Sequence, residues 1–367
     1  MTQLQTCSPY INRIGTAVPE HDVHRPFLAF ARSMLDNDRA RTVFDRMAER
    51  SGIEHRYSNF RVGDLDAGEV DADGFYKRGA FPTTAARMRL YEPFAKALAL
   101  KAVEALDLGA GLQAITHIVV ASCTGFTAPG LDLHLALALQ LPASVSRTLV
   151  GFMGCSAAVP ALRTACDTVR ADPTARVLVV NCELSTLHLQ ESSDLETVLS
   201  FMLFADGASA ALVTADPIGL AIDDFRSAIL PDSTDLITWH IGDQGFDMHL
   251  SGKVPGRIAA MLRAELQGDG ETGGAGLLRG QGTQSYDLWA VHAGGRTVLD
   301  AVEISLSLSP QALRHSRAVL HDYGNMSSAT VMFVLARILA SAEGERGLGM
   351  AFGPGMVAET FRFHRAA

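Results

Sequence analysis

Charge is scarce in this 367-residue chain, where 19% of residues are Asp, Glu, Lys or Arg against 48% hydrophobic. Such a chain can bury one large core or two medium ones, which excludes extended disorder. Basic residues are the scarcer sign, 31 against 40 acidic, for a formal charge of −9, and no Lys/Arg run is long enough for a nucleic-acid patch. DNA and RNA are therefore set aside as partners. Cysteine is also sparse: Cys7, Cys123, Cys155, Cys166 and Cys182 form an odd set without CxxC spacing. With no basic-then-apolar signal segment at the N-terminus, this favours a reduced, cytoplasmic location. Long apolar runs are missing, since 117–121 and 176–180 fall far short of the ~20 residues a spanning helix needs, and no membrane span is expected. Nor is a metal or a resident cofactor.

What is present reads as alternating strands and helices. Apolar, β-branched stretches at Ile115–Ala121, Ala175–Asn181 and Ala208–Thr214 predict buried strands, with helical patterns at 89–106 and 156–170 between them. The second half repeats the theme with strands at Gly219–Asp224, Asp287–His292 and Leu348–Phe352 and helices near 295–308 and 325–342. This predicts a layered α/β architecture of two similar halves, 1–215 and 216–367. Gly268–Gly282, with seven glycines, is expected to be a mobile surface loop without chemistry.

The sharpest local feature is Gly151-Phe152-Met153-Gly154-Cys155-Ser156-Ala157-Ala158, a cysteine among small residues at the start of a predicted helix. Unpaired N–H groups and the helix dipole at such a position stabilise a thiolate, so Cys155 is expected to be acidic. The bland alternative is a small buried cysteine. A nucleophile needs a base, and Trp289-Ala290-Val291-His292-Ala293-Gly294-Gly295 places His292 at the C-terminal edge of a strand, where open α/β sheets bind ligands. In Gly324-Asn325-Met326-Ser327-Ser328, Asn325 supplies an amide, although taken alone it fits a helix N-cap better. Together they make a nucleophile, a base and an amide donor, a complete set for acyl transfer through a thioester.

Six strings occur in one order along the chain: Ser122-Cys123-Thr124-Gly125-Phe126 with Pro129-Gly130, the Cys155 turn, Phe204-Ala205-Asp206-Gly207-Ala208, His292-Ala293-Gly294-Gly295, Gly324-Asn325-Met326-Ser327-Ser328 and Phe352-Gly353-Pro354-Gly355. On these the chain resembles the type III, chalcone-synthase-like polyketide synthases over nearly its whole length, and the first string is similar to that of bacterial members. The resemblance implies the five-layered αβαβα thiolase-like fold, a homodimer, and a catalytic triad of Cys155, His292 and Asn325. It implies an acyl-CoA starter loaded on Cys155, decarboxylative Claisen condensation with malonyl-CoA, and cyclisation of the product. Phe204 corresponds to the family's gatekeeper aromatic. Arg46 and Arg50, which a helix would place on one face, correspond to residues that bind coenzyme A phosphates, and Thr297 to a further contact with that substrate.

Departures from the plant pattern concern the substrate. Met248 replaces the second gatekeeper aromatic, Cys123 stands where threonine is usual, Trp239 lies near a position that is often glycine, and Ala351 replaces the first glycine of the terminal loop. The bacterial-type string and the missing second aromatic favour a medium- or long-chain fatty acyl starter giving alkylpyrones or alkylresorcinols, with malonyl-only products or an aromatic starter as the alternatives. Whether the starter arrives on coenzyme A or on a carrier protein stays open. The nearest rival is a single-condensation β-ketoacyl carrier-protein synthase III, whose histidine precedes a different string. A degradative thiolase needs a second cysteine after Cys182, and there is none. An inactive acyl-binding relative would lack a triad member, and here all three are present.

Overall fold

The computed structural model describes residues 7–64, 69–268 and 276–366. Nine strands form one mixed sheet in the spatial order Leu288–Val291, Arg346–Gly353, Val357–Arg365, Leu220–Ile229, Tyr10–Ala17, Asp206–Thr214, Val177–Leu184, His117–Ser122, Ser146–Gly151. Outward from Tyr10–Ala17 the pairings run antiparallel, antiparallel, parallel, parallel. Outward from Leu220–Ile229 they run antiparallel, antiparallel, parallel. The two halves thus repeat one topology. They meet at a short antiparallel pairing, Tyr10 with Ala221 and Ile11 with Leu220.

Side-chain alternation builds the layers, because successive residues of a strand face opposite sides of its sheet. Val119, Ala121, Val177 and Val179 of the first half, and Ala290, Ala351 and Phe361 of the second, face one shared core. That core is filled by the helices Ala158–Ala171 and Ala329–Ala340, the latter buried along most of its length. The intervening residues Ile118, Val120, Leu178 and Val180 pack outward against the helix Thr84–Glu104. Trp289, Val291, Leu348 and Met350 pack outward against Val254–Gln267 and Arg296–Ser305. Helices, sheet half, helices, sheet half, helices make the five layers of the αβαβα arrangement. Among the described residues no helix is long and apolar enough to cross a membrane.

Part of the glycine-rich segment expected as a mobile loop lies outside the described residues. The rest is tied down: Leu277 and Leu278 are buried, and the Arg279 guanidinium pairs with Asp224 at 2.6 Å. Ala351 sits inside the strand Arg346–Gly353 and is fully buried, so the substitution affects core packing rather than the turn. The sequence pattern also passed over Ser146–Gly151, an edge strand whose first four residues are exposed.

Candidate active site

Cys155 lies in the 3-10 turn Gly154–Ser156 that joins the strand Ser146–Gly151 to the helix Ala158–Ala171. Gly154 has φ +61°, and a Cβ there would meet Pro354 Cδ at 2.2 Å. A Cβ on Gly353 would meet Ser156 Oγ at 2.3 Å. The Phe352-Gly353-Pro354 segment thus closes directly onto the cysteine turn, and the glycines permit that approach. Phe152, with φ +57°, holds a conformation that non-glycine residues seldom adopt.

His292 follows the strand Leu288–Val291, its N–H donating to Met350 O at 2.8 Å. It is 2% exposed, and among the described residues neither ring nitrogen has a hydrogen-bond partner. Asn325 occupies the turn between the helices Arg314–Tyr323 and Ala329–Ala340. Its Oδ1 accepts from Ser327 N at 2.8 Å, and its Nδ2 donates to Gly294 O at 3.2 Å. The first bond closes an Asx-type turn, which leaves the amide N–H₂ facing the His292 loop. Ser327, at φ +48°, carries the backbone strain of this turn. On the other side, Asn325 N donates to Leu203 O at 2.8 Å and Ala205 N donates to Asn325 O at 2.9 Å. These bonds lock Asn325 to the segment that carries Phe204.

Cys155, His292, Asn325, Phe204, Met248, Cys123 and Trp239 line a single, largely apolar cavity, the kind of concave surface on which small-molecule sites are built. Met248 and Trp239 face each other across the hairpin Ile237–Gly242 and Gly245–Leu250. Trp239 Nε1 donates to Cys123 O at 2.7 Å, and Cys123 Sγ accepts from Gly154 N at 3.0 Å. The tryptophan therefore connects the pocket wall to the cysteine turn. Arg46, Arg50 and Thr297 are exposed and lie outside the cavity lining. Arg50 and Thr297 belong to one neighbourhood, since Arg296 Nη1 donates to Arg50 O at 3.2 Å. Gly294 and Val298, flanking Arg296 and Thr297, line the cavity, so these groups border its wall.

The electrostatics depart from the expectation of an acidic cysteine. Burial pushes the Cys155 thiol up to about 11, against hydrogen bonds from Ser327 and Asn325 that lower it, and the nearby Glu183 raises it further. Burial also drives His292 down to about 4.

Sequence reasoning missed Glu183. It is the penultimate residue of a strand buried at every position, its Oε2 accepting from Cys123 N at 3.0 Å and Thr124 Oγ1 at 2.9 Å, and its Oε1 from Ser328 Oγ. Burial lifts its carboxyl to about 7 despite these bonds. A lone acid in the apolar run Val177–Leu184 was the available signal. Arg56 was missed as well: 1% exposed, it donates from Nη1 to Phe201 O at 3.0 Å and Phe204 O at 2.6 Å, fixing the Phe204 segment.

Comparison with known proteins bears on what this arrangement does. Residues 2–217 match the N-terminal domain of chalcone and stilbene synthases, and residues 222–366 match the C-terminal domain of that family. Bisdemethoxycurcumin synthase of Oryza sativa subsp. japonica is 34% identical, covering 96% of this chain and 91% of its own length. PKS-I of the brown alga Ectocarpus siliculosus superposes with a TM-score of 0.85 at 30% identity, covering 98% of this chain and 99% of that one. The type III domain of the Dictyostelium hybrid Steely1 superposes at 0.86 with 24% identity, covering 98% and 100%, a likeness of fold. With both domains matched and the thiolase-like fold shared, this chain belongs to the chalcone and stilbene synthase family and is a type III polyketide synthase, an acyltransferase acting on coenzyme A thioesters.

Proposed function

We propose that Cys155, His292 and Asn325 catalyse iterative condensation of a fatty acyl starter with malonyl-CoA, and that the products are alkylpyrones or alkylresorcinols. The observation that carries the triad is the convergence of a thiol, an imidazole with two unpartnered nitrogens and an amide donor in one apolar cavity. Cys155 Sγ attacks the starter carbonyl while its proton passes to His292, which returns it to the departing coenzyme A sulfur. Malonyl-CoA then binds with its thioester oxygen facing His292 and the Asn325 amide. The carboxyl C–C bond breaks, carbon dioxide leaves, and the two donors stabilise the resulting enolate. The enolate carbon attacks the acyl-Cys155 carbonyl, a C–C bond forms, and the cysteine sulfur leaves.

Support for a long apolar starter comes from a second cavity that shares Ser185, Phe201 and Phe204 with the first and is walled in part by Phe27, Phe30 and Phe60. Phe204 would then gate the passage, and Met248, Cys123 and Trp239 would shape the cyclisation space. Arg46, Arg50 and Thr297 would hold the coenzyme A phosphates and arm. A homodimer would bury the exposed edge strand Ser146–Gly151 together with Phe126, Leu149 and Met153, which are 38%, 41% and 42% exposed.

The test is incubation of the purified protein with malonyl-CoA and acetyl, hexanoyl, palmitoyl or 4-coumaroyl-CoA, with product masses read against Cys155→Ala. Tri- or tetraketides from the fatty acyl starters, absent in the variant, are expected. Full activity in Cys155→Ala would overturn the mechanism, and products only from 4-coumaroyl-CoA would overturn the starter assignment.

A further inference from the structure

The helix Asp38–Arg50 is anchored by Phe44, with Ala40 and Ala48, against Leu35, Val198 and Met202. At about 100° per residue, Arg39, Val43, Arg46, Met47 and Arg50 fall within about 100° of one another on the outward side. All five are exposed, including Val43 at 38% and Met47 at 41%. Of the acids in this region, Asp38 pairs with Arg41 at 2.9 Å and Asp45 with Arg32 at 3.0 Å, leaving Glu49 on the flank and Asp36 just before the helix. Among the described residues the guanidinium groups of Arg39, Arg46 and Arg50 have no hydrogen-bond or ion-pair partner. In a chain of formal charge −9, this is a cationic stripe interleaved with apolar side chains, and its C-terminal end meets the segment bordering the cavity through the Arg296–Arg50 contact.

We propose that this face docks an acidic helix of an acyl carrier protein, delivering a phosphopantetheine-borne acyl group to Cys155 through the mouth beside Arg50. The proposal rests on the acyl-transfer reading above. A free coenzyme needs cations only at the mouth. Arg39 lies about 16 Å from Arg50 along the helix, and phosphates have no use for exposed valine and methionine. An amphipathic acidic helix uses all five positions: its carboxylates meet three unpaired arginines, and its apolar residues cover Val43 and Met47. Arginine and methionine are enriched in protein interfaces, and charge complementarity of this kind accelerates encounter.

The experiment compares acylation of Cys155, followed by intact-protein mass, from decanoyl-CoA and from a small acidic carrier protein bearing decanoyl-phosphopantetheine. Arg39→Glu and Met47→Asp are expected to lower the rate from the carrier at least tenfold and to leave the rate from decanoyl-CoA within twofold. The carrier route is also expected to slow with added salt. Both side chains are exposed, and an unchanged coenzyme route reports intact folding. Acylation from decanoyl-CoA but not from the carrier overturns the proposal, as does an equal loss from both donors or no loss from either. Failure of both donors with the wild-type protein overturns the acyl-transfer reading itself.

Discussion

Glu183→Gln separates the cost of a buried charge from the hydrogen bonds around it. The Glu183 carboxyl stands at about 7 in the folded chain against an ordinary 4.5, with desolvation as the main cause. The folded state therefore keeps its proton more tightly than the unfolded state does. Stability from this group is fully present below about 4.5 and falls as pH rises toward 7, where the folded carboxyl also ionises. The gap of about 2.5 units corresponds to about 3 kcal/mol at about 1.4 kcal/mol per unit. Glutamine with its oxygen in the place of Oε2 still accepts from Cys123 N and Thr124 Oγ1, and its amide N–H₂, in the place of Oε1, can donate to Ser328 Oγ. The variant thus loses the titration while keeping the network.

At about 2.1 cal/mol/K per residue, 3 kcal/mol corresponds to a Tm shift of ~4 °C for a chain of this length. Tm of both proteins is measured by calorimetry from pH 4.5 to 8. The expected result is that Tm of the variant minus Tm of the wild type rises by ~4 °C between pH 5 and pH 8. Asp206, lifted to about 6 by burial, titrates in both proteins and cancels in that difference. A difference independent of pH would refute the assignment of a buried, raised carboxyl at this position.

His292→Ala removes the proton acceptor for a thiol held near 11, so acyl loading of Cys155 at pH 7 is expected to fall at least 100-fold, and a rate within threefold of wild type would show that His292 is not the base. Gly154→Ala forces a left-handed conformation costing about 1–2 kcal/mol and drives a Cβ into Pro354. A Tm drop and lost condensing activity are expected, and both would be read in one preparation. Trp239→Phe leaves the buried Cys123 carbonyl without its donor, worth about 1–3 kcal/mol, and widens the cavity, so product chromatography should show a changed cyclisation pattern with loading by acyl-CoA retained. Leu149→Glu places a charge on the exposed edge strand, and sedimentation should shift from dimer to monomer. A wild-type chain that already sediments as a monomer would remove the dimer proposal.

Features that depend on local chemistry were readable from the sequence. Cys155 could be placed on a strand-to-helix turn because glycines and alanines surround it. His292 could be placed at a strand end because Trp289-Ala290-Val291 leads into Gly294-Gly295. The antiparallel pairings of Tyr10–Ala17 with Asp206–Thr214 and of Val357–Arg365 with Leu220–Ile229 were not readable, since these partners lie far away in sequence and neither Tyr10–Ala17 nor Val357–Arg365 carries a clean alternation. The same distinction separates the two influences on Cys155. The helix N-terminus is a local property and pointed to a lowered pKa, whereas desolvation belongs to the whole enclosure formed by Phe204, Trp239, Met248 and Phe352 from distant segments. In an apolar cavity the loss of water outweighs a partial dipole charge that is worth about 0.3–1 kcal/mol at an exposed terminus. Glu183 follows the same logic. A carboxylate buried in the core is costly unless it is bonded, so its place in an otherwise apolar strand implied partners that only the folded chain could name: Cys123, Thr124 and Ser328.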